Sequence, residues 1–466
     1  MKKFLVLLLA LMMVAAVGCA ELEPIDVDSG GDESGGEGEV KNVILLIGDG
    51  MGVGHVEFAR LFNAEPGELL HMEQVPVTSL VLTASADFHV TDSAAAATAL
   101  ATGHKTNNGM LGVKPDGTPV KSLAQAAMEA GKASGIVVSN TVYDATPAGF
   151  AAHVDSRAAS EEIATQVFET GLDVLLGGGR DRFLPEGEEG GRRTDGRNLV
   201  EEAIEQGYTY VADRDELAAA SGEKLLGLFN TGHLNYQLDQ ALLNTNEPSL
   251  AEMTSKGIEF LSQNENGFFL MVEGSRIDHA AHAADVPGVI AEMKDFDAAA
   301  KAALDFARER DDTLVIITAD HDTYGFAVTG PLDFELIEGV NASPPFIMAQ
   351  IDKDEDNNFV VESLREVIDT YTGISDLTDD EIEYLQEVSE LPTFLSGGRL
   401  GDIVAKRANA GVIYGPIRDI CPTEGHTANP VPLYAYGPGA ESFGGLLDNT
   451  DVARIIAELH GVTLDD

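Results

Sequence analysis

Acids and imidazoles stand at the ends of apolar runs throughout this 466-residue chain. The run GFFLMVEG (267–274) carries Glu273 at its end, and Asp278, His279 and His282 follow. Asp278 and His282 are spaced i, i+4, so on a helix they share a face and can grip one metal ion. His279 is one position off that face and can still point toward the same pocket. A lone histidine is most often an ordinary surface or core residue. Two acids and two imidazoles packed directly behind a buried run are hard to read that way. LVIITADHD repeats the device with Asp320 and His321, one oxygen and one nitrogen donor. His426 stands in PTEGHTANP, just before another apolar run. The first run, NVILLIGDGMG, ends on Asp49 between glycines, and read alone that aspartate is equally a turn residue.

Zinc takes mixed nitrogen and oxygen donors, and catalytic zinc keeps one position open. Asp49, Glu273, Asp278, His282, Asp320, His321 and His426 are too many ligands for one zinc. They would serve two Zn2+ ions plus a harder, oxygen-seeking ion such as Mg2+. YDATPAGFAAHVDSR (143–157) adds Asp144, Thr146 and Arg157. The Thr146 hydroxyl is a neutral oxygen ligand. The Arg157 guanidinium is a planar fork that matches two oxygens of a tetrahedral anion. It stays a surface residue if its segment does not fold back on the sheet.

The elements that must position these groups are legible in the same runs. NVILLIG is apolar without alternation and ends in glycine, as suits a strand buried on both faces. Residues 134–139, 173–179, 267–274, 312–322 and 431–440 read alike. Helical patterns lie between them, at 120–132, 286–310 and 451–461. Strand–helix alternation predicts an α/β three-layer sandwich, with a mostly parallel central sheet flanked by helices. In such sheets the chemistry sits at the carboxyl ends of the strands. Residues from about 340 to 400 break the pattern. They are acidic and helix-rich, and read as an insertion subdomain. Within it, DKDEDNNFVVES imitates a calcium loop through Asp352, Asp354 and Asp356. It lacks the glycine at position six and the glutamate at position twelve, with Glu362 one short, so it reads as a solvated acidic turn.

Six segments in order, IGDGMG, VTDSAAAATALATGHKTNNG, DATPAGFAAHVDSR, VEGSRIDHAAH, TADHD and EGHTANP, resemble the motif series of the alkaline phosphatases. The resemblance spans residues 42–440. It implies hydrolysis of phosphate monoesters, with Ser93 as the nucleophile that becomes phosphoserine. It implies one Zn2+ on Asp278, His282 and His426, and a second on Asp49, Asp320 and His321. It implies a Mg2+ on Asp49, Thr146 and Glu273, with Arg157 clamping the phosphoryl oxygens. Asp144 and His279 match outer positions that vary within the family. The stretch DTYGFAVTGP after His321 does not align with the family pattern. A sulfatase would need a cysteine or serine in a C/S-x-P-x-R setting, and Ser93 is followed by alanines. Diesterases of the superfamily generally use threonine and lack the magnesium set. A non-catalytic phosphate- or metal-binding protein would have no use for Ser93. The resemblance also places Asp92-Ser93 at a helix N-terminus, where backbone N–H groups and the dipole favour an anion, with Gly103 placed to end the helix.

The totals set the partners. There are 78 acidic against 29 basic residues, a net charge of −49. Such a surface repels nucleic acid, so no nucleic-acid binding is expected, and it repels an anionic substrate unless cations sit in the site. The acidic excess reads as an adaptation to saline, halophilic surroundings. Residues 1–19 read as a signal peptide, with Lys2-Lys3, an apolar core and a small-residue end. Cys19 after Val17-Gly18 resembles a lipobox, which makes it a lipid attachment point, although Ala16 departs from the preferred leucine. The expected location is therefore periplasmic or cell-surface lipoprotein, with secreted soluble protein as the alternative. Residues 20–41 are a flexible acidic Gly/Ser tether, and 42–466 the catalytic domain. The only other cysteine is Cys421, so core and metals rather than disulfides must hold the domain. Family resemblance adds the expectation of a homodimer.

Overall fold

The computed structural model describes residues 38–63, 68–413, 415 and 420–465. The signal segment 1–19, its Cys19 and the tether as far as residue 37 lie outside the described residues. No described helix is long and apolar enough to cross a membrane.

Among the described residues, twelve strands carry the architecture: β1 (Asn42–Gly48), β2 (Val77–Leu82), β3 (Ala133–Thr141), β4 (Val174–Gly178), β5 (Tyr208–Val211), β6 (Lys224–Leu228), β7 (Phe268–Gly274), β8 (Thr313–Ala319), β9 (Asp322–Thr323), β10 (His426–Thr427), β11 (Val431–Tyr436) and β12 (Leu446–Asp448). Ten form one sheet in the order β12-β2-β11-β8-β1-β7-β3-β4-β6-β5. From β8 to β5 every neighbouring pair is parallel. The apolar runs without alternation are its central strands. Every residue of β1, β3, β7 and β8 is buried, because helices cover both faces.

One layer holds the helices Val53–Asn63, Leu250–Leu261 and Val286–Arg308, and the other holds Ser93–Thr102, Leu123–Glu129 and Asn449–His460. The three-layer sandwich expected from the alternation is therefore the observed architecture. Strands β2, β5, β6 and β12 are not legible as runs. They are short, from three to six residues, and β2 and β5 are only partly buried.

β11 runs against both of its neighbours in the large sheet, antiparallel to β8 and to β2. The reversal matters for the site. A parallel strand delivers the loop after it to the carboxyl edge; an antiparallel strand delivers the loop before it to that same edge. His426 precedes β11, so the reversal carries it to the edge where β1, β7 and β8 end. The two-residue strands β9 and β10 then pair, with His426 opposite Thr323 and Thr427 opposite Asp322. This pairing ties the His426 loop to the segment after His321.

Residues 334–407 form the helices Phe334–Gly339, Pro344–Ala349, Val361–Thr372, Asp379–Gln386 and Thr393–Arg407. They bury an apolar cluster of their own, with Ile347, Leu364, Ile368, Leu385, Leu400 and Val404 at its centre. In the acidic turn between them, the Asp354 carboxylate accepts backbone N–H bonds from Asp356 and Asn358 at 2.9 Å each, which closes the turn on itself.

Candidate active site and metal centre

Ser93 opens the helix Ser93–Thr102. Asp92 is its N-cap, in extended backbone, with Oδ1 accepting the Ala95 N–H at 3.0 Å. Gly103 ends the helix in the left-handed conformation, φ 72°, with its N–H donated to Ala99 O. All ten residues between are buried. The alanine run is what allows this. A Cβ built on Gly149 would lie 2.9 Å from Ala97 Cβ, so two backbones meet here with almost no side chain between them.

Three imidazoles converge beside Ser93, and each is held in one tautomer. His282 Nδ1–H donates to Glu424 O at 3.0 Å, and His426 Nδ1–H donates to Thr91 O at 3.0 Å. The Thr323 hydroxyl donates to Asp278 Oδ1 at 2.6 Å, which leaves its oxygen to accept from His321 Nδ1–H at 3.2 Å. Each Nε2 therefore presents a lone pair to the cleft. These lone pairs crowd together. His282 Nε2 and His426 Nε2 are 3.1 Å apart, and the His321 and His426 rings stack with centroids 3.7 Å apart.

The carboxylates add to the crowding. Asp278 Oδ2 lies 3.3 Å from His282 Nε2, and its Oδ1 lies 3.7 Å from His426 Nε2. Asp320 Oδ2 and Asp49 Oδ1 lie 3.1 and 3.5 Å from His321 Nε2. Asp320 Oδ1 is occupied by the N–H groups of Gly50 and His321, but its Oδ2 has no hydrogen-bond partner, and neither has Asp49 Oδ1. Beyond them, both Glu273 oxygens and the Thr146 hydroxyl are buried without a partner. Unpaired buried oxygens and facing imidazole lone pairs are costly unless cations lie among them.

The ordinary titration ranges are displaced accordingly. Burial first, then Asp320, Asp278 and Glu273, pushes Asp49 well above the usual carboxylate range. Burial and then Asp144 do the same to Glu273. Burial also works upward on Asp278, but His282, His426 and His321 outweigh it and hold that carboxyl well below its usual range. For His282 and His321 burial works downward, and Asp278 and Asp320 respectively override it and raise them. The site demands positive charge, and divalent cations answer that demand. Asp49, Asp320 and His321 form one group with donor atoms within 4.8 Å of one another; Asp278, His321 and His426 form another. The second group takes His321 because of the ring stacking, while the His282 distances to Asp278 and His426 bring His282 to the same point.

Arg157 does fold back on the sheet. Nη1 lies 3.4 Å from Asp92 Oδ2 and Nη2 lies 3.6 Å from Asp144 Oδ1, so the fork hangs over the site between two carboxylates. Asp144 caps the short helix that carries Thr146 and accepts from Asn140 Nδ2. Asn140 Oδ1 in turn accepts from His233 Nδ1, and the His233 ring meets the His279 ring edge-on at 4.9 Å. His279 Nδ1 accepts from Arg276 Nη1 at 2.6 Å. Burial, then Arg276, pulls His233 down to about 4, so it is neutral at neutral pH. Asp278, His282, His426, Ser93 and Arg157 all open onto one cleft of ≈ 540 Å3.

Sequence reasoning passed over several of these partners. Asn108 and Gly109, in a run that carried no assigned task, hold Asp92. Asn108 Oδ1 accepts the Asp92 N–H, and the Gly109 N–H donates to Asp92 Oδ2 at 2.9 Å. Gly109 O also accepts the Arg157 backbone N–H at 2.7 Å. Thr323, Asn140, His233 and Arg276 were likewise unmarked. Thr323, two residues after His321, and Arg276, inside VEGSRIDHAAH, stand beside marked residues.

The family model described as alkaline phosphatase matches residues 40–462. Alkaline phosphatase 3 of Bacillus subtilis is 36% identical, over 97% of this chain and 97% of its own length. The repressible alkaline phosphatase of Saccharomyces cerevisiae is 33% identical, over 88% of this chain and 78% of its own. Among solved structures, the alkaline phosphatase of Thermus thermophilus superposes with a TM-score of 0.82 at 30% identity, covering 94% of this chain and 95% of that one.

Proposed function

The chain belongs to the alkaline phosphatase family and is a phosphomonoester hydrolase using divalent metal ions, and on that premise we propose a phosphoserine mechanism at a site of two Zn2+ and one Mg2+. In this reading Asp278, His282 and His426 hold one zinc, Asp49, Asp320 and His321 the other, and Asp49, Thr146 and Glu273 the magnesium. The donor chemistry supports the division: all three converging imidazoles fall to zinc, and the orphaned oxygens of Glu273 and Thr146 fall to the harder ion. When bound, such ions supply Lewis acidity and neutralise phosphoryl charge, which relieves the repulsion between a −49 protein and an anionic substrate.

The remaining work falls to the chain. Ser93 Oγ, at the helix N-terminus and facing the cleft, forms a bond to phosphorus as the P–O bond to the alcohol breaks on the opposite side. The serine proton is lost and the alcohol leaves protonated. Water then repeats the displacement, returning Ser93 and releasing inorganic phosphate. Arg157 grips two phosphoryl oxygens, and Asp92 and Asp144 aim its fork. Phosphoryl transfer asks mainly for positioning and charge neutralisation, and this cluster supplies both.

One observation carries the reading: Ser93 Oγ lies 3.1 Å from His321 Nε2, at the point where the unpaired oxygens of Asp49 and Asp320 converge. The test pairs metal analysis with activity. Wild-type protein should hold two zinc and one magnesium and should hydrolyse p-nitrophenyl phosphate faster than bis-p-nitrophenyl phosphate. Ser93→Ala should abolish turnover and keep its zinc. Unchanged hydrolysis by that variant would sink the covalent mechanism, and faster diester cleavage would sink the monoesterase assignment. Export, a lipid at Cys19 and a homodimer belong to the same proposal, supported by the leader pattern and the family.

A further inference from the structure

We propose that the insertion builds a subsite for the substrate's leaving group, selective for uncharged aryl alcohols, with Phe394 as its platform. The inference rests on the in-line displacement at Ser93 proposed above. A second hollow, of ≈ 430 Å3, adjoins the catalytic cleft. The two share His282, Phe394, Pro422 and Glu424 as common walls, and Leu395, Tyr324 and Cys421 complete the second.

Attack by Ser93 places the leaving oxygen on the far side of phosphorus. His282 stands on the wall that the cleft shares with the second hollow, and the leaving oxygen is taken to lie on its side. The carbon attached to the leaving oxygen then emerges past His282, into the second hollow.

Two large apolar side chains stand exposed in that space, among the polar groups of His282, Tyr324, Cys421 and Glu424. Phe394 and Leu395 are 43% and 49% exposed, both in the first turn of the helix Thr393–Arg407. The platform is also rigid. A Cβ on Gly401 would come within 1.8 Å of Ala283 O, so this helix lies directly on the residue after His282. A Cβ on Gly397 would come within 2.9 Å of Pro345 N, so the same helix is clamped from its other side. The Phe394 ring meets the His279 ring edge-on, with centroids 6.2 Å apart. His279 is itself fixed by Arg276 and His233. Flat apolar surface held at a set distance from the reacting atoms suits an aromatic ring. Glu424 on the shared wall and the acidic surroundings select against a leaving group carrying negative charge. Unlike the metal ligands, Phe394 and Leu395 come from the part of the chain with its own separate core, so the subsite can change while the catalytic cluster stays as it is.

The test is Phe394→Ala in the metal-loaded enzyme, assayed with 1-naphthyl phosphate and with glycerol phosphate, and inhibited by inorganic phosphate. Loss of one aromatic contact should lower kcat/KM for 1-naphthyl phosphate about tenfold. Glycerol phosphate should stay within about twofold, and the inhibition constant of inorganic phosphate, which has no leaving group, should not move. Phe394→Trp should restore the naphthyl preference. An equal loss on both substrates, or none on the aryl ester, overturns the subsite and leaves the catalytic reading intact. Failure of that reading would show differently, as undiminished turnover by Ser93→Ala.

Discussion

Asp92→Ala is the substitution that best tests how Ser93, the proposed nucleophile, is mounted. Asp92 makes three contacts at once, and each has a magnitude. Its Oδ1 caps the Ser93 helix, and losing an N-cap costs about 1 kcal/mol. Its Oδ2 accepts the partly buried Gly109 N–H; a hydrogen bond to a charged acceptor contributes about 1.5 kcal/mol or somewhat more. Arg157 lies 3.4 Å from the same oxygen, but its side chain is 36% exposed, so solvent screening leaves about 0.5 kcal/mol. The total is about 3 kcal/mol. Unfolding entropy near 2.1 cal/mol/K per residue gives a chain of 466 residues about 1 kcal/mol/K, so the melting temperature should fall by about 3 °C.

Activity should fall as well, because Ser93 and Arg157 both lose their anchor. Arg157→Ala is the control. It removes the proposed phosphate clamp together with two solvent-screened ion pairs, to Asp92 and Asp144, so kcat/KM should drop while the melting temperature stays within about 1 °C. The assay is differential scanning calorimetry of metal-loaded protein beside p-nitrophenyl phosphate kinetics. If Asp92→Ala melts with wild type, the capping and Gly109 bonds do not hold the helix, and the mount is wrong as described.

Other expectations follow from the buried acids and the surface. Burial pushes Glu292 up to about 8 from an ordinary value of 4.5, against the opposing Gln237 N–H bond and Arg276. A carboxyl raised on folding favours the folded state below its unfolded pKa and loses that contribution as pH climbs from about 4.5 to about 8. Glu292→Gln, which keeps the acceptor oxygen for Gln237, should therefore melt higher relative to wild type at pH 9 than at pH 5. An equal offset at both pH values would show that Glu292 ionises freely. The net charge of −49 predicts a melting temperature that rises from low to molar NaCl, as added salt shortens the screening length from about 10 Å at 0.1 M. A flat profile would leave the acidic surface without a saline role.

The central strands were legible because burial on both faces removes the need for alternation, and β1, β7 and β8 and the centre of β3 are apolar runs for that reason. Donors such as Asp278 and His282 were legible because a helix repeats every 3.6 residues, a local rule. β2 and β5, half-covered and short, leave no such signature. Nor does Asn108 reveal from sequence that it holds Asp92.

The sequence by itself determined residue types, their local spacing, the strand-ending positions and the charge that makes cations necessary. Only the tertiary structure decided which of those groups meet. Asp49 lies hundreds of positions from Asp278, Asp320 and His426, and their meeting depends on strand order and on the reversal of β11. Likewise, the tautomer of each imidazole is decided by a carbonyl or hydroxyl, from Glu424, Thr91 or Thr323. Local preference follows from neighbours along the chain. Lone pairs converging on one point require long-range closure of the backbone, and no short stretch of sequence contains that information.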